Sequence, residues 1–199
     1  GGNPSGFRDD PHQPVERVSW DDAQRFLAEL NRRVAGLSAR LPSEAEWEYA
    51  CRAGTTTPFS FGANIRPEEV NYRGEYPYAG GRKGIFRGNT VAVASLPANA
   101  WGLYEMHGNV WEWCADGYGD YPSGPKVDPR GTPEGALRVL RGGSWFSYGE
   151  SVRSARRYGR GSNSRLVDIG FRLALGSSRL AEPVTEALPP RAGSQARRP

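Results

Sequence analysis

The pattern of apolar and polar positions marks two helices early in the chain and little long-range order after them. From Ser19 onward, Ala23, Phe26, Leu27, Leu30 and Val34 recur at the spacing of one helical face. Ser19 suits the N-cap, Asp21 and Asp22 the first turn, and Gly36 the stop. A second helix is predicted in LPSEAEWEYACRAG, where Ser43 and Glu46 have capping-box spacing, Trp47 and Ala50 face inward, and Gly54 ends the run. Residues 1–18, rich in Pro and Asp, read as an extended lead-in. Residues 55–100 read as loop and short strand, with TVAVASL (90–96) the one alternating strand. The stretch 101–118 is dense in aromatics and places a Gly108-Asn109 turn between apolar flanks. A Pro/Gly loop over 116–137 follows. RVLRGGSW (138–145) and GFRLAL (170–175) then read as short buried strands. Residues 176–199 have no period and are expected to form a disordered tail. No internal repeat is present.

Composition narrows the class. A chain of 199 residues holds one sizeable core, which places a single domain over 1–175. With 26 Gly and 16 Pro it is loop-rich, and its six Trp are expected to carry much of the burial. The net charge of +4 is uneven: 138–175 holds eight arginines against Glu150 and Asp168. Such a stretch can steer acidic ligands or nucleic acid. Arg141, Arg153 and Arg172 sit in strand-like pieces, however, and are expected inside the fold and hydrogen-bonded. Cys51 and Cys114 have neither framework nor metal-site spacing; a bridge and two reduced core thiols both remain open. There is no secretory or transmembrane run, and no compartment is indicated.

Between the two strand motifs lies a run of Phe, Ser, Tyr, Gly and Arg with no helical period. That is the composition of a binding surface, with aromatics for contact area, Ser and Gly for adaptable contacts and Arg for charge. Candidate chemistry is sparse. Ser144 lacks a nucleophile-elbow pattern. His12 and His107 are the only histidines, and His107 is expected in a turn or in the core.

VSWDDAQRFLAELN, RLPSEAEWEYACRAGT, NAWGLYEMHGNVWEWCADGY, RVLRGGSW and GFRLAL, in this order and spacing, resemble the formylglycine-generating-enzyme (sulfatase-modifying factor) family over about residues 3–175. The resemblance implies an α+β, C-type-lectin-like fold: two helices, a small twisted antiparallel sheet and long loops. That family's domain begins some strands earlier, so N-terminal strands are expected to be missing here. It also implies structural Ca2+ held by the Glu105 and Glu112 carboxylates and the Gly108 and Val110 carbonyls, hard oxygen donors suited to that ion. A second family site near Asn71 and Tyr72 lacks its usual carboxylate, since RKGIF stands there. Formylglycine generation needs a cysteine pair just after GGS to bind Cu(I). The window 145–153 contains none, so copper is not expected. The related sulfoxide synthases draw a histidine triad from an added helical domain, and no such domain is present.

One branch of the fold serves as the variable protein of diversity-generating retroelements, in which template AAC codons become NNC. RVLRGGSW, RSA and GFRLA resemble its framework. The candidate variable, ligand-binding positions are Phe146, Ser147, Tyr148, Ser151, Arg156, Tyr158, Arg160, Ser162, Ser164, Leu166, Val167, Asp168 and Ile169, all residues that NNC encodes. Glu150, which NNC cannot encode, would be framework. Phe146, Tyr148 and Tyr158 would anchor a ligand, and Arg156 and Arg160 would supply charge-assisted bonds. The reading placed first is therefore a non-catalytic domain that binds a protein or other macromolecular ligand. A formylglycine-generating or related oxidoreductase comes second, and a basic nucleic-acid binder third.

Overall fold

The computed structural model describes residues 2–121, 123–129, 131 and 135–176; the tail expected over 176–199 lies outside them apart from its first residue. Local signals set both helices. Ser19 caps α1 (Trp20–Arg33) in a capping box with Asp22, and Ser43 caps α2 (Glu44–Arg52) in one with Glu46. Between the helices, β1 (Ala39–Arg40) pairs with β6 (Ala174–Leu175) at the far end of the chain. The main sheet comprises β2 (Trp111–Gly117), β3 (Leu137–Arg141), β4 (Arg157–Gly161) and β5 (Ile169–Gly170), in the order β4-β3-β2-β5.

The period-2 alternation of the strands lets this sheet serve two helices. Trp113 and Leu140 face α1, packing with Ala23, Leu27, Leu41 and Ile169. Their neighbours Cys114 and Val139 face α2, packing with Trp47, Cys51 and Met106. A third cluster under the loops joins Phe59, Ile65, Val70, Tyr72 and Val152. Across the α2 side runs a buried ion network. The fully buried Arg141 guanidinium donates to Glu44 Oε1 (3.0 Å), to Glu48 and to the Ser154 carbonyl (2.6 Å). Arg157 donates to both oxygens of the same Glu44 (2.8 and 2.6 Å).

Several expectations are corrected. TVAVASL is not a strand: the Val91 amide bonds Asn109 Oδ1, the Ala94 amide bonds Glu105, and Ala94 takes a φ of 60°, so side chains stand where a partner strand would. Gly108-Asn109 has positive φ (76° and 64°) but makes no hairpin. Gly108 instead bridges to Asn71, and a Cβ there would run into the Asn71 carbonyl. The sheet is not wholly antiparallel, because β5 runs parallel to β2. The chain reaches β5 by passing over the start of α1, with the Trp20 and Arg17 amides bonding the Ser162 and Leu166 carbonyls. In GFRLAL only Gly170, Ala174 and Leu175 are in strands. The α1 stripe is wider than its buried face: Ala23 and Leu27 are buried, while Phe26 and Val34 are about half exposed. Arg153 follows a short 3-10 turn (Gly149–Val152) and is not in a strand. Both cysteines are free and buried.

Removing Arg141 takes one of two guanidinium partners from each of Glu44 and Glu48, which keep Arg157 and Arg52, and leaves the buried Ser154 carbonyl without its donor. Arg141→Met is expected to cost about 3–5 kcal/mol in urea unfolding; a cost below about 1 kcal/mol would show that the network contributes little.

Candidate binding surface

The segment after β3 is held at several points. The Ser144 amide and hydroxyl both meet Ser147 Oγ (3.0 and 3.2 Å). Arg157, at the start of β4, is tied to Glu44. Farther along, Ser162 Oγ donates to Asp21 (3.3 Å), and Arg165 grips Asp22 through Nε (2.6 Å) and Nη2 (2.9 Å). That guanidinium holds the Asp22 carboxyl well below the usual carboxylate range. The Asp168 carbonyl accepts from the Trp111 amide (2.8 Å). Its side chain accepts from Ser144 Oγ (3.2 Å), and burial raises its carboxyl pKa.

On this frame the candidate positions divide. Phe146, Tyr148, Tyr158 and Leu166 are exposed; Ser151, Arg156, Arg160, Ser162, Ser164, Val167 and Asp168 are half-buried. Ser147 and Ile169 are buried, Ser147 by its bonds to Ser144 and Ile169 by the α1 core. Neither side chain presents itself to a ligand, which corrects their inclusion.

The exposed positions form three neighbouring patches. In the first, Tyr148 stacks on Tyr76 (4.5 Å) and Phe146 lies against Trp145 (5.4 Å) and Phe86 (6.2 Å). The Arg73 guanidinium lies 4.9–5.9 Å from the rings of Tyr76, Phe86, Phe146 and Tyr148. The second is an apolar groove of about 600 Å3, lined by Trp145, Phe146, Leu166 and Val167, with Arg17 and Arg165 flanking and Asp168 also lining it. In the third, alternation on β4 puts Tyr158 and Arg160 on one face, with Tyr158 5.8 Å from Trp111. Arg73, Tyr76, Phe86 and Arg17 were not predicted. The one signal for Arg73, Tyr76 and Phe86 was the aromatic, glycine-rich stretch 71–86, which carries no period, and Arg17 in the lead-in had none.

The arginine excess is mostly answered internally. Arg141, Arg157, Arg165 and Arg172 all pair with carboxylates, which leaves a smaller basic field than the sequence suggests. Arg172 bears on the calcium donors. It donates to both oxygens of Glu112 (2.5 and 2.7 Å), and Trp47 Nε1 donates to Oε2 (2.6 Å). Glu105 accepts the Ala94 and Leu96 amides (3.0 and 3.3 Å). The donors are oxygens of the right kind, and in this arrangement both carboxylates are already engaged by protein donors. Among the described residues no group of three acidic, His or Cys side chains could hold a metal.

His107 is buried. Its Nδ1 meets the Val152 carbonyl (2.8 Å), and its Nε2 faces the Ser60 hydroxyl (3.0 Å) and amide (3.1 Å). The adjoining cavity, about 10 Å3, is water-sized, so the pair has no room for a substrate. Burial also pushes the thiols up, that of Cys51 to about 12, which disarms them as nucleophiles.

Two helices packed on a small sheet, with long irregular loops between the strands, make this an α+β domain of C-type-lectin-like fold. This chain belongs to the sulfatase-modifying factor enzyme 1-like domain family, whose model matches residues 1–176. It is 36% identical to a formylglycine-generating enzyme of Bos taurus, over 82% of this chain and 44% of that protein. Identity to the formylglycine-generating enzyme of Streptomyces coelicolor is 38%, over 86% of this chain and 56% of that one. The chain thus spans about half the length of these relatives. Among solved structures, Treponema denticola variable protein 1 superposes with a TM-score of 0.75 at 27% identity, covering 86% of this chain and 77% of that one. No helix among the described residues is long and apolar enough to cross a membrane.

Burial holds the His107 pKa near 4, so the folded imidazole stays neutral while an unfolded one protonates near 6.5. Stability is therefore expected to fall by on the order of 3 kcal/mol as pH drops from 6.5 to 4. Urea unfolding at several pH values reads this. In His107→Gln the slope over that window should flatten; an unchanged slope would assign it to other groups.

Proposed function

We propose that this domain binds a macromolecular ligand, with protein as the favoured class, through a surface diversified at residues 146–168. The observation that carries the reading is the partition of the segment. Its tethering groups Ser144 and Arg157 point into the fold and Arg165 is tied along the surface to Asp22, whereas Phe146, Tyr148, Tyr158 and Leu166 lie exposed with no such tie. Exposed aromatics around arginines are typical of interface hot spots. The similarity to a protein named as variable supports the same reading. Formylglycine generation, in the names of the curated relatives, is the alternative. It needs paired reactive thiols, and Cys51 and Cys114 are buried inside the scaffold.

Two measurements test this. The coding DNA for 138–174 is expected to have a near-identical downstream repeat, with AAC at the exposed positions, beside a reverse transcriptase; without one, diversification is overturned. A display library randomised at Phe146, Tyr148, Tyr158, Arg160, Leu166 and Val167 is expected to stay folded and to yield binders to a test protein such as lysozyme. Randomising Ile169 should unfold most members, since a buried Ile truncated to Ala costs about 2–5 kcal/mol. A library that collapses at the exposed positions would sink the display reading.

Calcium at Glu105, Gly108, Val110 and Glu112 joins this proposal on one condition, that it displaces Arg172 from Glu112. Adding about 2 mM calcium should then raise Tm by several degrees, and Glu112→Gln should abolish the rise. An unchanged Tm would remove calcium from the description.

A further inference from the structure

The loop facing the displayed segment is built in the same way, with its backbone held and its side chains left outside. Within residues 81–87 the Gly84 amide donates to the Gly74 carbonyl (2.9 Å), and Arg87 Nη2 donates to the Pro67 carbonyl (2.6 Å). Gly84 also packs directly on Pro67, where a Cβ would run into the proline ring. On this held loop Lys83 and Ile85 are exposed, Ile85 at 60%. A single exposed isoleucine would be unremarkable on a protein surface. Ile85, however, adjoins Phe86, which lies 6.2 Å from Phe146, and Phe146, Tyr148 and Tyr76 are themselves about half exposed. It therefore extends an apolar patch that the segment and the loop share.

The charge around that patch has a sign. Residues 66–87 carry Arg66, Arg73, Arg82, Lys83 and Arg87 against Glu68, Glu69 and Glu75. Arg73 pairs with Glu75 and Arg82 with Glu68. Among the described residues, Arg66, Lys83 and Arg87 have no carboxylate within ion-pair distance, and neither have Arg156 and Arg160 on the segment. Against these five stand two carboxylates of the same stretches that lack a cationic partner at that distance. Glu69 accepts the Arg66 amide (2.9 Å), and Asp168 accepts from the Ser144 hydroxyl. A partner rich in Lys and Arg is repelled by this surplus. A partner that surrounds an apolar side chain with Asp and Glu gains both the patch and the charge.

We propose that loop 81–87 is a constant arm of the display surface and that the surface, through it, prefers acidic protein partners. Ile85 packs on an apolar side chain of the partner, and Lys83 and the unpaired arginines meet the Asp and Glu around it. The proposal rests on the display reading and adds to it the chemistry of the partner and a contact that does not lie in the segment.

The randomised library of the whole chain makes the test, selected in parallel against lysozyme, a basic protein, and α-lactalbumin, an acidic one of similar size. The α-lactalbumin binders are expected to be tighter by about tenfold, and their association should slow as salt rises from about 0.05 to 0.5 M. In those binders Ile85→Ser should weaken affinity about tenfold and Ile85→Leu should keep it, while Lys83→Glu should slow association about threefold. Both positions are exposed, so Tm should not move in any of the three. Equal affinity for the two targets, or α-lactalbumin binders indifferent to Ile85→Ser and Lys83→Glu, would overturn the constant arm and leave the display reading standing. No binders to either target would end the display reading, and this proposal with it.

Discussion

Glu44 receives two arginines from far along the chain, and the displayed segment depends on that meeting. Arg141 closes β3 and Arg157 opens β4, and both donate to this one carboxylate at the first position of α2. The fifteen residues between them therefore leave and rejoin the fold at one fixed place. Burying such charges is expensive, and an apolar core of the same volume could be as stable. A directional, bidentate pair does something an apolar contact does not: it fixes the two strand ends in register and in angle. Asp22 repeats the device at the other helix. It caps α1 with Ser19 and holds Arg165, so a local capping carboxylate also anchors a distant loop.

This arrangement separates what holds the segment from what the segment shows. On β4, Arg157 turns toward α2 while Tyr158 turns toward Trp111, because successive side chains on a strand point to opposite faces. Ser144 and Ser147 bond to each other underneath, while Phe146 and Tyr148 project on either side of Ser147. Surface side chains can change at little cost in stability when the backbone below them is tied by other groups. Ile169 belongs to the tied set despite its place in the segment, since it packs in the same cluster as Trp113 and Leu140.

Both helices were legible because their signals are local: a capping serine, an acid three residues on and an apolar face within one window. The strands were legible only where motifs bracket them. A two-residue strand such as β5 or β6 has no period to detect, and its partner is far away in sequence. TVAVASL misled for the opposite reason: its alternation is real, but Asn109 and Glu105 take up the backbone amides a neighbouring strand would use. That Arg141 is inside could be anticipated from its strand setting. Its partners, 97 and 93 positions earlier, could not. Within the site, the segment and its exposed aromatics were readable from composition, and the opposite wall was not. Tyr76 and Phe86 lie in an aperiodic loop, and nothing in their spacing points to Tyr148 or Phe146.

On the proposed reading, that wall limits what the surface could become, because Arg73, Tyr76 and Phe86 lie outside 146–168 and would stay if the segment changed. Arg73 sits among four rings, two from each side: Tyr76 and Phe86 from the wall, Phe146 and Tyr148 from the segment. If Phe146 and Tyr148 gave way to small residues, the half-buried Arg73, ion-paired with Glu75 (3.3 Å), and Phe86 would be uncovered beside the exposed Tyr76. If other aromatics replaced them, the same cation would meet new rings. On the proposed reading, every version of the surface would be built around one fixed arginine and two fixed rings, and the neighbouring groove would likewise keep Trp145 and Arg17 while Phe146, Leu166 and Val167 changed.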